Sequence, residues 1–134
     1  MQANGSDAVA RGGAGTPSDD RTTESVVRNH LATFLAQKGI PAIVADYGAD
    51  ARLHTAARVY TGPTEIGDFF AGFIASLPTN GYERFTLGSL RVDGELAFIT
   101  WSIGDDVPLG TDTFVVRGGR IVAQTVAMHA ASPG

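Results

Sequence analysis

The first part of the chain carries apolar residues with the spacing of amphipathic helices. A first helix is predicted to begin after Thr22 or Thr23, which suit an N-cap, and to end at Gly39. Its apolar stripe has the spacing i, i+4, i+7 and i+8 and consists of Val27, Leu31, Phe34 and Leu35. A short second helix is predicted from Pro41 to Tyr47, because proline suits the first helical turn.

The clearest helix of the chain follows Gly62. Pro63 suits its first position and Glu65 is favourable in its first turn. Its apolar stripe consists of Ile66, Phe69, Phe70, Phe73, Ile74 and Leu77, a pattern typical of core packing. The preceding residues 51–60 are predicted to form one or two short strands, and Pro78 ends the helix.

The second half of the chain has the pattern of consecutive strands. Segments rich in β-forming residues are separated by turn signals such as Asp93-Gly94 and Gly118-Gly119. The predicted strands cover residues 85–92, 96–103, 111–116 and 121–128. Helices followed by strands indicate an α+β domain, in which a curved antiparallel sheet wraps around three helices and leaves a conical cavity.

Length and composition limit the class of protein. A chain of 134 residues suits one domain, predicted over residues 21–131 after a mobile tail at residues 1–20 that is rich in small and polar residues. A formal net charge of −4 without a basic run argues against nucleic acid and anionic membranes as partners. No apolar run approaches a membrane span and the N-terminus lacks a secretory signal, so we expect a cytoplasmic protein.

The sequence offers little for nucleophilic, metal or cofactor chemistry. It has no cysteine, no Gly-x-Ser-x-Gly elbow and no glycine-rich nucleotide-binding motif. The three histidines and Asp112 lack a compact metal-ligand spacing. We therefore predict neither a metal nor a cofactor, and acid–base chemistry is the candidate that is left.

Asp112 is the strongest candidate for that chemistry, because it lies in an otherwise apolar strand. By strand alternation it shares a face with Phe114 and Val116. If this face lines the cavity, desolvation raises the pKa of Asp112, and the group can donate or accept protons. The alternative is a carboxylate near the start of the strand that caps the preceding loop.

Two histidines are further candidates. His54 and Thr55 are neighbours in a predicted strand, so only one of them points into the cavity, and His54 is either a general base or a partly exposed strand residue. His30 is placed at the edge of the first helix stripe, as a boundary residue or a functional one. His129 is predicted to be solvated.

Several polar and aromatic residues are candidates for substrate contact. Gln124 is predicted to share a face with Val122, Val126 and Met128, where it orients a substrate carbonyl or faces water. Both faces of the strand around Trp101 are semi-apolar and should be covered, one of them by the helices and the cavity. The predicted substrate contacts are Tyr47, Thr55, Tyr60, Phe73, Thr100, Phe114 and Gln124.

The order of elements and three local segments resemble the nuclear transport factor 2-like superfamily, in its SnoaL-like and ketosteroid-isomerase-like branch. The segments are Asp50-Ala51, the run from Gly62 to Ile66 with Phe69-Phe70, and residues 112–122. The resemblance covers Val26 to Ala127 and implies a cone-shaped, cystatin-like α+β roll. Members include isomerases, polyketide cyclases, dehydratases, epoxide hydrolases and non-catalytic binding domains, so the fold alone does not define a function.

The resemblance implies roles for particular positions. His30 stands where ketosteroid isomerases carry a pocket tyrosine, and Asp112, two residues before Phe114, stands where they carry a protonated aspartic acid. The place of their general-base aspartate is taken by Thr55, beside His54. Gly110 occupies the place of an arginine in the epoxide hydrolases, which counts against that activity.

Two functions are compatible with these features. The first is a cofactor-free isomerase, cyclase or dehydratase acting next to the carbonyl of a small hydrophobic molecule, with Asp112 as acid, base or oxyanion donor and His54 or His30 as its partner. The second is a binding or interaction domain without turnover. In both cases we expect a small hydrophobic ligand and a homodimer formed through the sheet.

Overall fold

The helices within residues 21–130 all lie before Phe85, and the sequence predicts three of them but not the four-residue helix at Gly81–Arg84. The computed structural model describes residues 21–130, and the predicted tail at residues 1–20 lies outside the described residues. The helices are α1 (Thr23–Leu35), α2 (Ile40–Val44), α3 (Gly62–Ala75) and α4 (Gly81–Arg84). Thr22 caps α1 by accepting a hydrogen bond from the Ser25 backbone N–H at 3.0 Å. Proline stands in the first turn of both α2 and α3.

Six strands form one curved, unclosed sheet. They are β1 (Tyr47–His54), β2 (Val59–Thr61), β3 (Phe85–Asp93), β4 (Leu96–Ile103), β5 (Val107–Arg117) and β6 (Arg120–His129). Their order is β2-β1-β6-β5-β4-β3. The predicted α+β class is confirmed. All neighbouring strands are antiparallel except β1 and β6, which pair in parallel, so the sheet is mixed where the sequence predicts an antiparallel one.

The helices pack on one face of the sheet and enclose the core. Helix α3 packs on β1 and β2, and α1 packs on β4 and β5. The inward residues of β4 alternate with half-buried ones along the strand, as expected for a pleated strand with one face on the core. None of the helices within residues 21–130 is long and apolar enough to cross a membrane.

The buried face of α1 differs from the predicted stripe. Val26, Val27, His30 and Phe34 are buried, whereas Leu35 is 38% exposed at the end of the helix. The buried residues Val26, Val27, His30 and Phe34 have the spacing i, i+1, i+4 and i+8. Compared with the predicted stripe, the buried face of the helix is therefore rotated toward Val26. As a result His30 lies inside the core and not at the edge of the stripe.

A β-bulge changes the inward residues of β6. Val115 pairs with Ala123, but Val116 pairs with Ile121, so one extra residue is inserted in β6. Ile121 and Gln124 are consequently both buried, at 0% and 1% exposure. The prediction that Val122 shares the inward face with Gln124 is wrong, because the bulge interrupts the alternation there. Val126 is buried as predicted, and Met128 pairs with buried Gly110 on the same face, although it is 48% exposed near the end of the strand.

Element boundaries differ from the prediction around two residues. Helix α2 ends at Val44, and Tyr47 begins β1 and does not end the helix. Strand β5 begins at Val107 and so includes Pro108, although the sequence predicts a loop there. Pairing of β5 with β4 begins at Gly110, beyond Pro108, so the missing N–H of proline disrupts no bond of that ladder.

Candidate functional site

A narrow cavity lies between α1, α3 and the inner face of the sheet. Its walls are mostly aromatic, with one carboxyl group and one imidazole. The lining residues are His30, Leu31, Phe34, Phe69, Phe70, Phe73, Phe85, Ile99, Trp101, Asp112 and Val126. The free volume between them is about 30 Å³, which suffices for one or two water molecules. A larger molecule requires some of the aromatic side chains to move.

Asp112 projects into this cavity from β5. It is 8% exposed, and strand alternation places it on the same buried face as Phe114 and Val116, as predicted. Its Oδ1 accepts a hydrogen bond from Nε1 of Trp101 at 2.8 Å, and its Oδ2 accepts one from Nε2 of Gln124 at 2.8 Å. Both partners are neutral N–H donors, so the structure fixes the carboxyl group without neutralising its charge.

The environment of Asp112 opposes ionisation only in part. Burial raises the pKa of Asp112 from 3.8 to about 6, while the hydrogen bonds from Trp101 and Gln124 counteract the rise. At neutral pH the group is therefore mainly a desolvated carboxylate. Such a group is a stronger base than a solvated aspartate and can still release a proton near pH 6.

A hydrogen-bond chain fixes the orientation of Gln124. The hydroxyl group of Tyr47 donates to Oε1 of Gln124, so the amide presents its N–H₂ to Asp112. Tyr47 is buried, and burial together with the charges of Asp112 and Asp46 raises its pKa well above the ordinary value of 10.0. Its hydroxyl group is thus a permanent donor, and Tyr47 determines which end of the Gln124 amide faces the carboxylate.

Replacing Tyr47 with phenylalanine is expected to raise the pKa of Asp112 above about 6. Without the hydroxyl donor the amide of Gln124 can rotate, and the carboxylate loses part of a stabilising hydrogen bond. We also expect a loss of about 1–3 kcal/mol in unfolding free energy from the unpaired Gln124 oxygen. Carboxyl-carbon NMR titration measures the pKa. Tyr60→Phe, outside this chain of bonds, is the control, and an unchanged pKa in Tyr47→Phe would contradict the role of the chain.

His30 lies in the cavity wall as a buried neutral imidazole. Its ring makes edge contacts with the rings of Tyr47, Phe70 and Phe114, with centroids 5.8, 5.5 and 5.5 Å away. Burial lowers the pKa of His30 from 6.5 to about 4, and the nearby charge of Asp46 only partly opposes this. Within residues 21–130 its Nδ1 has no hydrogen-bond partner. An unpaired buried nitrogen beside a cavity is available to a ligand.

Asp46 stabilises the helix that carries His30. Its carboxylate accepts hydrogen bonds from Arg21 Nη2 at 2.8 Å and from Asn29 Nδ2 at 3.0 and 3.2 Å. Its backbone carbonyl accepts a hydrogen bond from the N–H of Ile121 at 2.9 Å. Asp46 therefore joins α1 to the bulged start of β6 and fixes the wall of the cavity.

The pH dependence of stability should show opposite contributions from His30 and Asp112. The lowered pKa of His30 stabilises the protein above pH 6.5, and this contribution is lost as pH falls to about 4. The raised pKa of Asp112 stabilises the protein below pH 3.8, and this contribution is lost as pH rises to about 6. Each change corresponds to about 3 kcal/mol, so the two nearly cancel in the wild-type protein.

Single substitutions should separate these two contributions. Asp112→Asn should lose unfolding free energy as pH falls from 6.5 to 4, because the contribution of His30 is then no longer offset by that of Asp112. His30→Gln should lose unfolding free energy as pH rises from 4 to 6, because the contribution of Asp112 is then no longer offset by that of His30. Urea unfolding at a series of pH values measures both slopes. Equal slopes in the two variants would contradict the assignment.

The structure does not bring His54 or Thr55 to the cavity, and the expectation that one of them points inward is corrected. Ala51 and Leu53 are the buried residues of this part of β1, so His54 lies exposed on the outer face, in a shallow groove with Thr113 and Thr125. Strand β1 ends at His54. The hydroxyl group of Thr55 accepts hydrogen bonds at 3.2 Å from the N–H groups of Ala57 and Arg58 in the following turn.

The other predicted contact residues divide between the two faces of the sheet. Phe73 lines the cavity, and buried Phe114 packs against the His30 ring. Thr100 lies on the outer face with its hydroxyl group 2.8 Å from that of Ser89, so its predicted substrate contact is corrected. Tyr60 packs on Phe69, with the Arg58 guanidinium 4.2 Å above its ring, and stands behind the cavity wall.

Trp101 and Gly110 form a part of the site that the sequence does not identify. Trp101 lies opposite Gly110 in the β4–β5 ladder, and its indole ring covers the glycine backbone. The ring stacks on Phe85 and donates to Asp112. The sequence signal was a tryptophan at an inward position, without indication of its partner. Among residues 21–130 no group of three His, Asp or Glu side chains could hold a metal ion, and the absence of a metal stays a prediction.

The chain matches the SnoaL-like domain family over residues 27–124 and belongs to that family. No curated protein matches the sequence. A nuclear transport factor 2-like protein of unknown function from Burkholderia xenovorans has a TM-score of 0.67 at 14% identity, over 84% of this chain and 86% of that chain. A proposed polyketide cyclase from Sinorhizobium meliloti has a TM-score of 0.62 at 15% identity, over 76% of this chain and 93% of that chain.

A third structure was solved with a small molecule bound. It is a protein with a ketosteroid isomerase-like fold from Catenulispora acidiphila, in complex with trimethylamine. Its TM-score is 0.62 at 19% identity, over 79% of this chain and 86% of that chain. At these identities the likenesses show the shared fold.

Proposed function

We propose that the protein is a cofactor-free enzyme that removes a proton next to the carbonyl group of a small hydrophobic molecule. The observation that carries this proposal is the desolvated carboxylate of Asp112, hydrogen-bonded to Trp101 and Gln124 at the wall of an aromatic cavity. Neutral His30 lines the same cavity. A basic carboxylate and a neutral hydrogen-bond donor are the groups that enolisation requires.

In the proposed reaction Asp112 is the base. A carboxylate oxygen of Asp112 takes the proton from the carbon next to the carbonyl, and the electron pair of that C–H bond forms the enolate. A ring N–H of neutral His30 donates a hydrogen bond to the enolate oxygen and stabilises its charge. Return of the proton from Asp112 to another carbon completes an isomerisation, and departure of a leaving group completes an elimination.

The hydrogen bonds favour the base role of Asp112 over the role of a neutral oxyanion donor. Both carboxyl oxygens accept N–H groups, and such bonds stabilise the ionised form. A neutral carboxylic acid would need an acceptor for its own proton, while the orientation of Gln124 presents a donor. His30, with its unpaired nitrogen, is the better candidate for the oxyanion contact.

Deuterium exchange tests this proposal. The full-length protein is incubated in D₂O at pH 7.5 with a small ketone such as 2-butanone or cyclohexanone, and incorporation beside the carbonyl is followed by NMR. We expect exchange faster than in protein-free buffer, with a pH profile that rises through about pH 6 as Asp112 ionises. Exchange that never exceeds the buffer rate across a panel of ketones would refute the proposed chemistry.

A second candidate function is ligand binding without turnover. It is favoured by the position of His54 outside the cavity, because within residues 21–130 the other titratable group that lines the cavity is His30, which burial keeps neutral. A protein of similar fold was solved in complex with trimethylamine, which supports small-molecule binding by this fold. Native mass spectrometry detects a retained ligand. A retained ligand that takes up no deuterium supports binding alone, and deuterium uptake would exclude it.

We also propose that the protein forms a homodimer through the outer face of its sheet. The centre of this face consists of half-buried, uncharged residues of β4 and β5, including Phe98, Thr111, Thr113 and Val115. A strip without charges is typical of the centre of a protein interface. Sedimentation at micromolar concentration is expected to give a dimer, and a monomer would refute this interface. A cytoplasmic location stays a prediction.

A further inference from the structure

A second apolar space lies on the outside of the helices, separate from the cavity of Asp112. This outer groove runs between the end of α1, α2, α3 and α4 and holds about 310 Å³ of space. Its walls include Ile40, Ile43, Ala71, Ile74 and Tyr82, and Gln37 supplies a polar group. None of the residues that line it is charged. The groove therefore suits an uncharged apolar chain.

Phe34 is the shared wall of the two spaces. It lines the inner cavity and the outer groove. On the inner side its ring centroid lies 5.8 Å from those of Phe73 and Phe85, and on the groove side it lies 5.3 Å from that of Tyr82. The two spaces therefore meet at this one side chain.

The sizes of the two spaces differ in a way that bears on the substrate. The inner cavity of about 30 Å³ has room for little more than a carbonyl group beside Asp112. The outer groove of about 310 Å³ is comparable to the smallest ligand pockets of proteins. A compact ketone would leave this groove empty, whereas an elongated molecule would fill both spaces.

We propose that the substrate is an elongated carbonyl compound, whose carbonyl end lies in the inner cavity and whose apolar chain passes Phe34 and lies in the outer groove. The position of the substrate carbonyl beside Asp112 rests on the proposed function. The groove further indicates a substrate with an apolar chain and the residues that select its length. Phe34 and the exposed Ala71 of α3 are then determinants of chain length. Burial of each additional methylene should strengthen binding about fourfold until the groove is full.

The affinity of a series of methyl ketones tests this inference. The dissociation constants of 2-butanone, 2-hexanone, 2-octanone and 2-decanone for the full-length protein are measured by NMR titration. We expect the affinity to increase steadily with the chain length of the ketone. In Ala71→Trp, which fills the groove from an exposed helix position, the gain from 2-hexanone to 2-decanone should vanish while 2-butanone binds as in the wild-type protein.

Ala75→Trp is the matched control, because Ala75 is an exposed alanine of the same helix outside the groove lining. In this variant the affinity should still increase with the chain length of the ketone. The inference is overturned if affinity is independent of chain length in the wild-type protein, if no ketone binds, or if Ala71→Trp and Ala75→Trp behave alike. Deuterium exchange is scored separately, so a chain-length gain removed by Ala71→Trp supports the groove even where exchange is absent and the proposed chemistry fails.

Discussion

Replacing Asp112 with asparagine is expected to slow deuterium exchange into a bound ketone by about 10²–10⁴-fold, the usual contribution of a general base. Asparagine keeps the volume of the side chain but cannot accept the proton. The asparagine side chain also has only one acceptor oxygen for the two donors, Trp101 and Gln124. If that oxygen accepts from Trp101, the N–H₂ group of Gln124 faces the N–H₂ group of asparagine and loses its hydrogen bond. Exchange rates by NMR, at ketone concentrations that saturate each protein, measure the effect.

The control for this substitution is Asp68→Asn, at an exposed position of α3. It removes the same charge from the chain without touching the cavity, so exchange should proceed at the wild-type rate. Circular dichroism and urea unfolding confirm that both variants are folded. If Asp112→Asn folds and retains the wild-type exchange rate, Asp112 is not the base.

Gly110→Ala is expected to destabilise the protein by about 1–3 kcal/mol or more, the usual cost of overpacking. A Cβ atom at this position would lie 2.2 Å from Cε2 of Trp101. The indole ring cannot give way without breaking its stack on Phe85, its edge contact with Phe73 and its hydrogen bond to Asp112. Urea unfolding measures the loss, and the fluorescence of the single tryptophan reports the displaced ring.

Gly72→Ala is the matched control for Gly110→Ala. A Cβ atom at Gly72 meets no atom within 4 Å, and the residue lies inside α3. Alanine should therefore stabilise the helix by about 0.5–1 kcal/mol. Equal unfolding midpoints and equal tryptophan emission in Gly110→Ala and the wild-type protein would show that Trp101 does not depend on the glycine.

The sequence predicts the central residue of the site because its strand is regular there. From Ile99↔Asp112 to Leu96↔Val115 the β4–β5 ladder runs without a register shift, so simple alternation places Asp112 and Phe114 on the inner face. The α+β class follows equally from local periodicity, since α3 and the later strands have strong and separate patterns.

Other parts of the site depend on contacts that local patterns do not contain. The hydrogen bond between Tyr47 and Gln124 joins residues 77 positions apart in the chain. Gln124 reaches the inner face beside Ile121 only because of the bulge in β6, and β1 has a register shift of its own between Tyr47 and Arg52. Irregularities of this kind reverse which side chains face inward, and a pattern of period two cannot locate them.

His30 shows the limit of a helix stripe as a predictor. Two apolar registers are compatible with α1, and they place His30 at the edge of the stripe or in the core. The structure selects the core because Val26 and Val27 both pack inward. The depressed pKa of His30 then follows from burial, which a sequence pattern does not measure.

The most direct test of the account is the pKa of Asp112. The chemical shift of its carboxyl carbon is followed by NMR from pH 3 to pH 9, with the resonance assigned by comparison with Asp112→Asn. The structure predicts a titration near pH 6, as expected for a desolvated carboxylate held by Trp101 and Gln124. A midpoint near the ordinary value of about 4, or below it, would mean that the group is solvated or paired, and would contradict its role as the base.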